Sequence, residues 1–298
     1  NAGPGVQTKA TPWQQVDENT WEKTDHYGNV WRRVEDHSAG EVIRGALQDI
    51  DDVYTYEFPD FSNPEDYAPV RKAREEHPDM WLNCGISFTF TVSRKLFKLD
   101  VYLMQLVLNR EKMRVLHDKV DKMAEDKIRN LAEAGADSVM IAEDWGTQDR
   151  TLISPELWHD EFFPRFKKLC GMVHDAGMKF IMHSCGMIEA IVPGLIEAGV
   201  DVFQFDQPEL HGIDTLAAYQ KENKVSFWCP VDIQRTLQTK DEGRIRAAAR
   251  EYIDKLWAGR GGFIAGVYAD NPSIGLDPAW QGYAVDEFVK YGKKETFL

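Results

Sequence analysis

The segment from Lys179 to Glu209, KFIMHSCGMIEAIVPGLIEAGVDVFQFDQPE, carries a histidine and a cysteine one residue apart, His183 and Cys185. They follow an apolar run and precede Gly186. On an extended segment, positions i and i+2 project to the same side. An imidazole and a thiolate on one face are two donors that Zn²⁺ prefers, with bonds of about 2.0–2.3 Å. Zn²⁺ also holds cysteine as thiolate. The same pair has an ordinary reading, a buried histidine bonded to backbone beside a small apolar cysteine.

Further groups close later or earlier apolar runs. Glu143 and Asp144 follow SVMIA, Asp206 follows VDVFQF, Cys229 ends VSFWC, and Tyr268 and Asp270 follow GGFIAGV. Asp206 could add an oxygen donor and Cys229 a second sulfur. That would make a His183, Cys185, Asp206, Cys229 set with one weak position for a substrate. The plainer readings are a turn cap for Asp206, before Gln207-Pro208, and core packing for Cys229. Two carboxylates straight after an apolar strand suit general acid/base work or support of a metal ligand. They also suit a solvated loop. His117, His159 and His174 fall in helical patterns and read as surface or packing residues.

The elements around these residues alternate. LNREKMRVLHDKVDKMAEDKIRNLAEAG has Met113, Leu116, Val120, Met123 and Leu131 at helical spacing and stops at Gly135. SPELWHDEFFPRFKKLCGMVHDAG opens with Ser154 as N-cap and Pro155 at the first helical position. IEAIVPGLIEAG is helical, with Pro193 at a kink or break. EAGADSVMIAED and EAGVDVFQFDQ repeat one helix–glycine–strand junction. Apolar strands alternating with amphipathic helices imply parallel βα units. At least six such strands and no GxGxxG loop predict an α/β (β/α)8 TIM-type barrel rather than a Rossmann sheet. The expectation is one domain over residues 1–298. Residues 1–78 form an irregular segment with a hairpin at WEKTDHYGNVWRRVED, and residues 79–298 carry the βα repeats. In such a barrel, chemistry sits where strands end.

Composition narrows the partners. The 298 residues are 43% hydrophobic, enough for a large core. The net charge of −14 repels nucleic acid and does not attract anionic membranes. Four cysteines in a chain this long argue against a disulfide framework. Without a membrane-length apolar run or a signal-peptide pattern, a soluble cytoplasmic protein is expected.

HSCGMIEAIVPGLIEAGVDVFQFDQPE resembles the signature of the uroporphyrinogen decarboxylase superfamily. TDHYGNVWRR, AGADSVMIAEDWGTQ, FWCPVDIQRTL and GGFIAGVYADNPSIGLDP resemble further blocks of that family in the same order, from about Trp21 to about Tyr283. The resemblance implies a (β/α)8 barrel and two activities. Decarboxylation of uroporphyrinogen needs no metal and uses an Arg-rich motif near the N-terminus. Here only Arg32-Arg33 stands in the presumed hairpin, so that activity is not expected. The other activity is zinc-dependent methyl transfer with a corrinoid (cobalamin) protein, through a His-x-Cys pair and a distant Cys. His183 and Cys185 match the pair. The distant Cys is absent from GVYADNPS near the last strand, which leaves Cys229 or Asp206 as substitutes. Cobalamin-independent methionine synthase has an acid at about the position of Asp206.

The chemistry so implied is methyl transfer between a small substrate and a corrinoid on a partner protein, in either direction, with Glu143 or Asp144 managing protons. A homodimer is compatible with this. Two alternatives stand beside it. One is a metal-free decarboxylase or lyase on a smaller substrate using Asp144 and Tyr268. The other is a non-catalytic corrinoid- or tetrapyrrole-binding module. Family members carry a strand and helix before the hairpin block, so residues preceding Asn1 are expected.

Overall fold

The computed structural model describes residues 10–34, 40–223, 225–257 and 260–293. Glu35, Asp36, Lys224, Ala258 and Gly259, at the ends of elements read from the sequence, lie outside them. The chain divides into two compact units, residues 1–143 with 168–179, and residues 144–167 with 180–298.

The first unit begins with β-structure. The expected hairpin is β2 (Thr20–Thr24) paired antiparallel with β3 (Val30–Val34), and strand β1 (Gln14–Asp17) and strand β4 (Glu41–Arg44) extend it to a four-stranded sheet. The flanking strands escaped the sequence reading because β1, QQVD, is exposed along its length and offers no apolar alternation. Asp25 closes the hairpin turn by accepting from the amides of Tyr27 and Asn29. Helices α1 (Asp52–Thr55) and α2 (Ala68–Glu76) lead to strand β5 (Asn83–Gly85). Then come α3 (Thr89–Phe97), α4 (Leu99–Leu108) and α5 (Arg110–Glu133). The apolar spacing of α5 buries Met113, Leu116, Val120, Met123 and Leu131, as its period requires. Strand β6 (Ser138–Ala142) pairs in parallel with β5, Cys84 opposite Val139.

The sequence reading expects one helix over Pro155–Asp175. Two form, α6 (Pro155–Glu161) and α7 (Phe163–Asp175), separated at Phe162. Pro164 has no N–H to continue the ladder, so the break falls just before it. Ser154 caps α6 through its hydroxyl, which accepts from the Leu157 amide at 3.2 Å.

The second unit holds parallel strands β7 (Lys179–His183, all but its first residue), β8 (Val202–Gln204), β9 (Ser226–Cys229) and β10 (Phe263–Ala265), paired in that order. Helix α8 (Val192–Ala198) follows β7, with Pro193 in its first turn where a missing N–H costs nothing. Helices α9 (Ile213–Asn223), α10 (Glu242–Tyr252) and α11 (Pro278–Tyr291) complete the unit. Gly135 and Gly199, the glycines of the repeated EAG junction, both take positive φ, +88° and +113°. The repeat is therefore one structural device used twice. The βα order is as the sequence predicts; six parallel strands are described, where a complete (β/α)8 barrel has eight.

Candidate metal centre

Three side chains at successive strand ends converge in the second unit. Asp144 follows β6, His183 is the last residue of β7, and Cys185 follows it. One donor atom from each lies within 4.8 Å of the others. His183 Nε2 is 3.4 Å from Cys185 Sγ and 3.4 Å from Asp144 Oδ1. Donors on a tetrahedral zinc at bonds of about 2.0–2.3 Å stand about 3.3–3.7 Å apart. The two separations from Nε2 match, and nitrogen, sulfur and oxygen are the donor types zinc takes. Zinc therefore fits these residues.

Backbone contact holds the three together. Asp144 Oδ1 accepts from the Cys185 amide at 3.1 Å, and Ser184 Oγ accepts from the Trp145 amide at 3.2 Å. Gly146 and Gly186 cross with no room for a side chain. A Cβ on Gly146 would stand 2.6 Å from Gly186 C, and one on Gly186, at φ +78°, would stand 2.6 Å from Thr147 O. Trp145 anchors the first of these loops. It is fully buried, edge-on to Phe162 at 4.7 Å and to Trp158 at 6.5 Å. Gln207 Oε1 takes the Gly186 amide at 3.0 Å, so the second loop is fixed as well.

The electrostatics of the site favour a cation. Burial presses the His183 imidazole down, but hydrogen bonds to Asp144 and Cys185 outweigh it and push the group up to about 11. The metal-free imidazole thus favours its charged form at the side, Nε2, that faces Asp144 and Cys185, where a metal ion would bind.

The comparisons place the chain at the level of family. The family model described as uroporphyrinogen decarboxylase (URO-D) matches residues 36–293. The chain belongs to the uroporphyrinogen decarboxylase family. Among curated proteins none matches it. Of the solved structures, a methyltransferase from Methanosarcina mazei is similar at 15% identity and TM-score 0.65, over 90% of this chain and 77% of that one. That likeness shows the fold. A D-psicose 3-epimerase, solved in the presence of D-fructose, aligns at 12% identity over 82% of this chain and 88% of that one, with TM-score 0.47. At that score it bears on nothing further.

This member of the uroporphyrinogen decarboxylase family departs from the ligand set read from its sequence. Asp206 Oδ2 lies 4.0 Å from His183 Nδ1, the ring nitrogen turned away from Cys185 and Asp144. Cys229 does not join the cluster; it is fully buried on β9, and burial pushes its thiol far up, so it behaves as a small apolar core group. Asp144, read as an acid/base group, stands with His183 and Cys185 instead.

Glu143, in the first unit, is fully buried. Both its oxygens accept from the Thr91 amide, at 3.1 and 3.2 Å, in the first turn of α3, where a carboxylate complements the helix dipole. Tyr268 sits within electrostatic reach of the centre. Burial pushes its phenol up, and charge on Asp206, Asp270 and Cys185 adds to this. Its hydroxyl lies 3.4 Å from Ser273 Oγ.

Gln204 escaped the sequence reading. It lies opposite His183 in the β7–β8 register, and its Oε1 meets His183 Nδ1. The signal was present in VFQFDQ, where Gln204 and Asp206 alternate onto one face.

No helix among the described residues is long and apolar enough to cross a membrane.

Proposed function

We propose that this chain is a methyltransferase-like enzyme that holds zinc through Asp144, His183 and Cys185 and moves a methyl group between a small substrate and a corrinoid on a partner protein. The observation that carries this reading is the convergence of three zinc-type donors, from successive strand ends, within 4.8 Å. When bound, zinc would supply Lewis acidity, activating a substrate heteroatom at neutral pH. The chain's own residues do the rest. Asp144 brings a carboxylate oxygen and Cys185 a sulfur donor to the centre. The crossed Gly146 and Gly186 loops fix the spacing of those two groups. Tyr268 offers a hydroxyl at the rim to orient a polar substrate group. The family and the shared fold with a methyltransferase support an enzyme of this kind.

The test is elemental mass spectrometry on protein purified without chelator, followed by methyl-transfer assays with free methylcobalamin. About one zinc per chain is expected, with transfer from methylcobalamin to a thiol or, when cob(I)alamin is supplied as the acceptor, from a methoxylated or methylamine substrate. No metal and no uptake on titration would overturn the zinc reading. A metal-free lyase would then take its place, and the protonated His183 held between Asp144 and Cys185 favours that second reading, because an imidazolium can neutralise a carboxylate or carbanion.

A further inference from the structure

We infer that Gln204 and Asp206 form a positioning relay that presents His183 Nε2 to the metal centre, and that Asp206 is not itself a ligand. The inference rests on the zinc reading of Asp144, His183 and Cys185. Zinc takes a neutral imidazole through one nitrogen, and the hydrogen bond at the other nitrogen decides which one that is.

Gln204 Oε1 can only accept, so His183 Nδ1 must donate to it. That leaves Nε2, the atom 3.4 Å from both Cys185 Sγ and Asp144 Oδ1, as the one open to a metal. The Gln204 amide could be turned end for end, which would present a donor to Nδ1 and reverse the assignment. Asp206 prevents that. Its Oδ1 accepts from Gln204 Nε2 at 2.8 Å, fixing which end of the amide faces the histidine. Gln204 and Asp206 are 8% and 7% exposed, so water does not compete for these bonds. The three residues are ordered by the sheet. His183 and Gln204 are register partners across β7 and β8, and Asp206 lies two residues past Gln204 on the same face. An Asp206 oxygen committed to Gln204, on the Nδ1 side of the ring, is placed to orient the ligand and not to join it.

The experiment is zinc titration against a competing chelator for the wild type and five variants: Cys185→Ser, Asp206→Asn, Gln204→Leu, Gln204→Glu and the double variant Gln204→Glu/Asp206→Asn. Circular dichroism confirms that each is folded. Cys185→Ser removes a ligand and should abolish tight binding. Asp206→Asn keeps an acceptor oxygen and should bind zinc within about threefold of wild type. Gln204→Leu should bind about 10–100-fold more weakly. Gln204→Glu sets two carboxylates against each other and should also weaken binding. The double variant rebuilds the relay with the charge moved one residue inward and should recover most of the loss, a rescue that a merely structural role would not give.

Loss of zinc in Asp206→Asn as severe as in Cys185→Ser, or wild-type affinity in Gln204→Leu, would overturn the relay while leaving the zinc reading in place. If the wild type takes up no zinc, that reading fails, and the relay is read from ¹⁵N-histidine NMR of the metal-free proteins. The His183 Nδ1 proton should then exchange slowly in wild type and Asp206→Asn and fast in Gln204→Leu. Equal exchange in all three would overturn the relay.

Discussion

His183 and His211 lie in the same unit, the first half-buried and the second buried, and their titrations move in opposite directions. His183 is pushed up to about 11, whereas burial presses His211 down to about 4. Burial acts downward on both. The difference lies in the company each keeps. His183 has Asp144 and Cys185 at one ring nitrogen. His211 stacks on Phe205 at 4.5 Å, bonds to the Gly186 backbone, and its Nδ1 has no hydrogen-bond partner among the described residues. An anion-flanked imidazole suits a cation site, and an aromatic-flanked one suits a neutral spacer. The spacing of His183 from Cys185 marks one of the two in the sequence, and the fold adds the charged or aromatic company that sets their titrations apart.

The largest expected effect comes from making His183 resemble His211. The double variant Asp144→Asn/Cys185→Ser should bring the His183 pKa down by about 4 units or more, to below about 7, and should lower zinc content from about one per chain to below about 0.1. NMR titration and elemental analysis read the two changes. A pKa still far above 7 would mean that some other group charges the ring.

Next is the backbone crossing that both histidines depend on. Gly186→Ala meets Thr147 O at 2.6 Å from a residue at φ +78°. It should cost roughly 3 kcal/mol or more in urea unfolding. A cost below about 1 kcal/mol would show that the two loops separate easily.

A third variant sharpens the contrast in pH. The folded pKa of His211 is depressed, so its contribution to stability is complete above the unfolded value near 6.5 and is lost as pH falls toward 4. The folded pKa of His183 is raised, so in metal-free protein its contribution is complete below about 6.5 and is lost as pH rises toward 11. His211→Phe should therefore flatten the acid limb of the stability profile by up to about 1.4 kcal/mol per pH unit between pH 6.5 and 4, leaving the alkaline limb unchanged. An unaltered acid limb would place the acid sensitivity elsewhere.

The smallest effect is expected at Cys229. Cys229→Ala should leave zinc stoichiometry intact and cost about 1–2 kcal/mol as a small core truncation. Loss of zinc there would restore this cysteine as a ligand.

The sequence by itself determined the order of elements and the pair at the centre of the site. Helix α5 and the EAG junctions were legible because periodicity and glycine stops are local properties of a chain. His183 and Cys185 were legible because a spacing of two on a strand is also local. The flanking strands β1 and β4 were not, since β1 is exposed along its length and β4 has only four residues, too few to carry a pattern. Tertiary structure decided the remainder of the site. Nothing local shows that Cys229 turns into the core, that Glu143 closes the start of α3, or that Asp144 stands beside Cys185 because two glycine loops cross. Which nitrogen of His183 faces the donors was likewise settled across the sheet, by the register that sets Gln204 opposite it. Residue type and spacing fix what a side chain can donate. Its partners are fixed only when segments distant in sequence pack within hydrogen-bond distance.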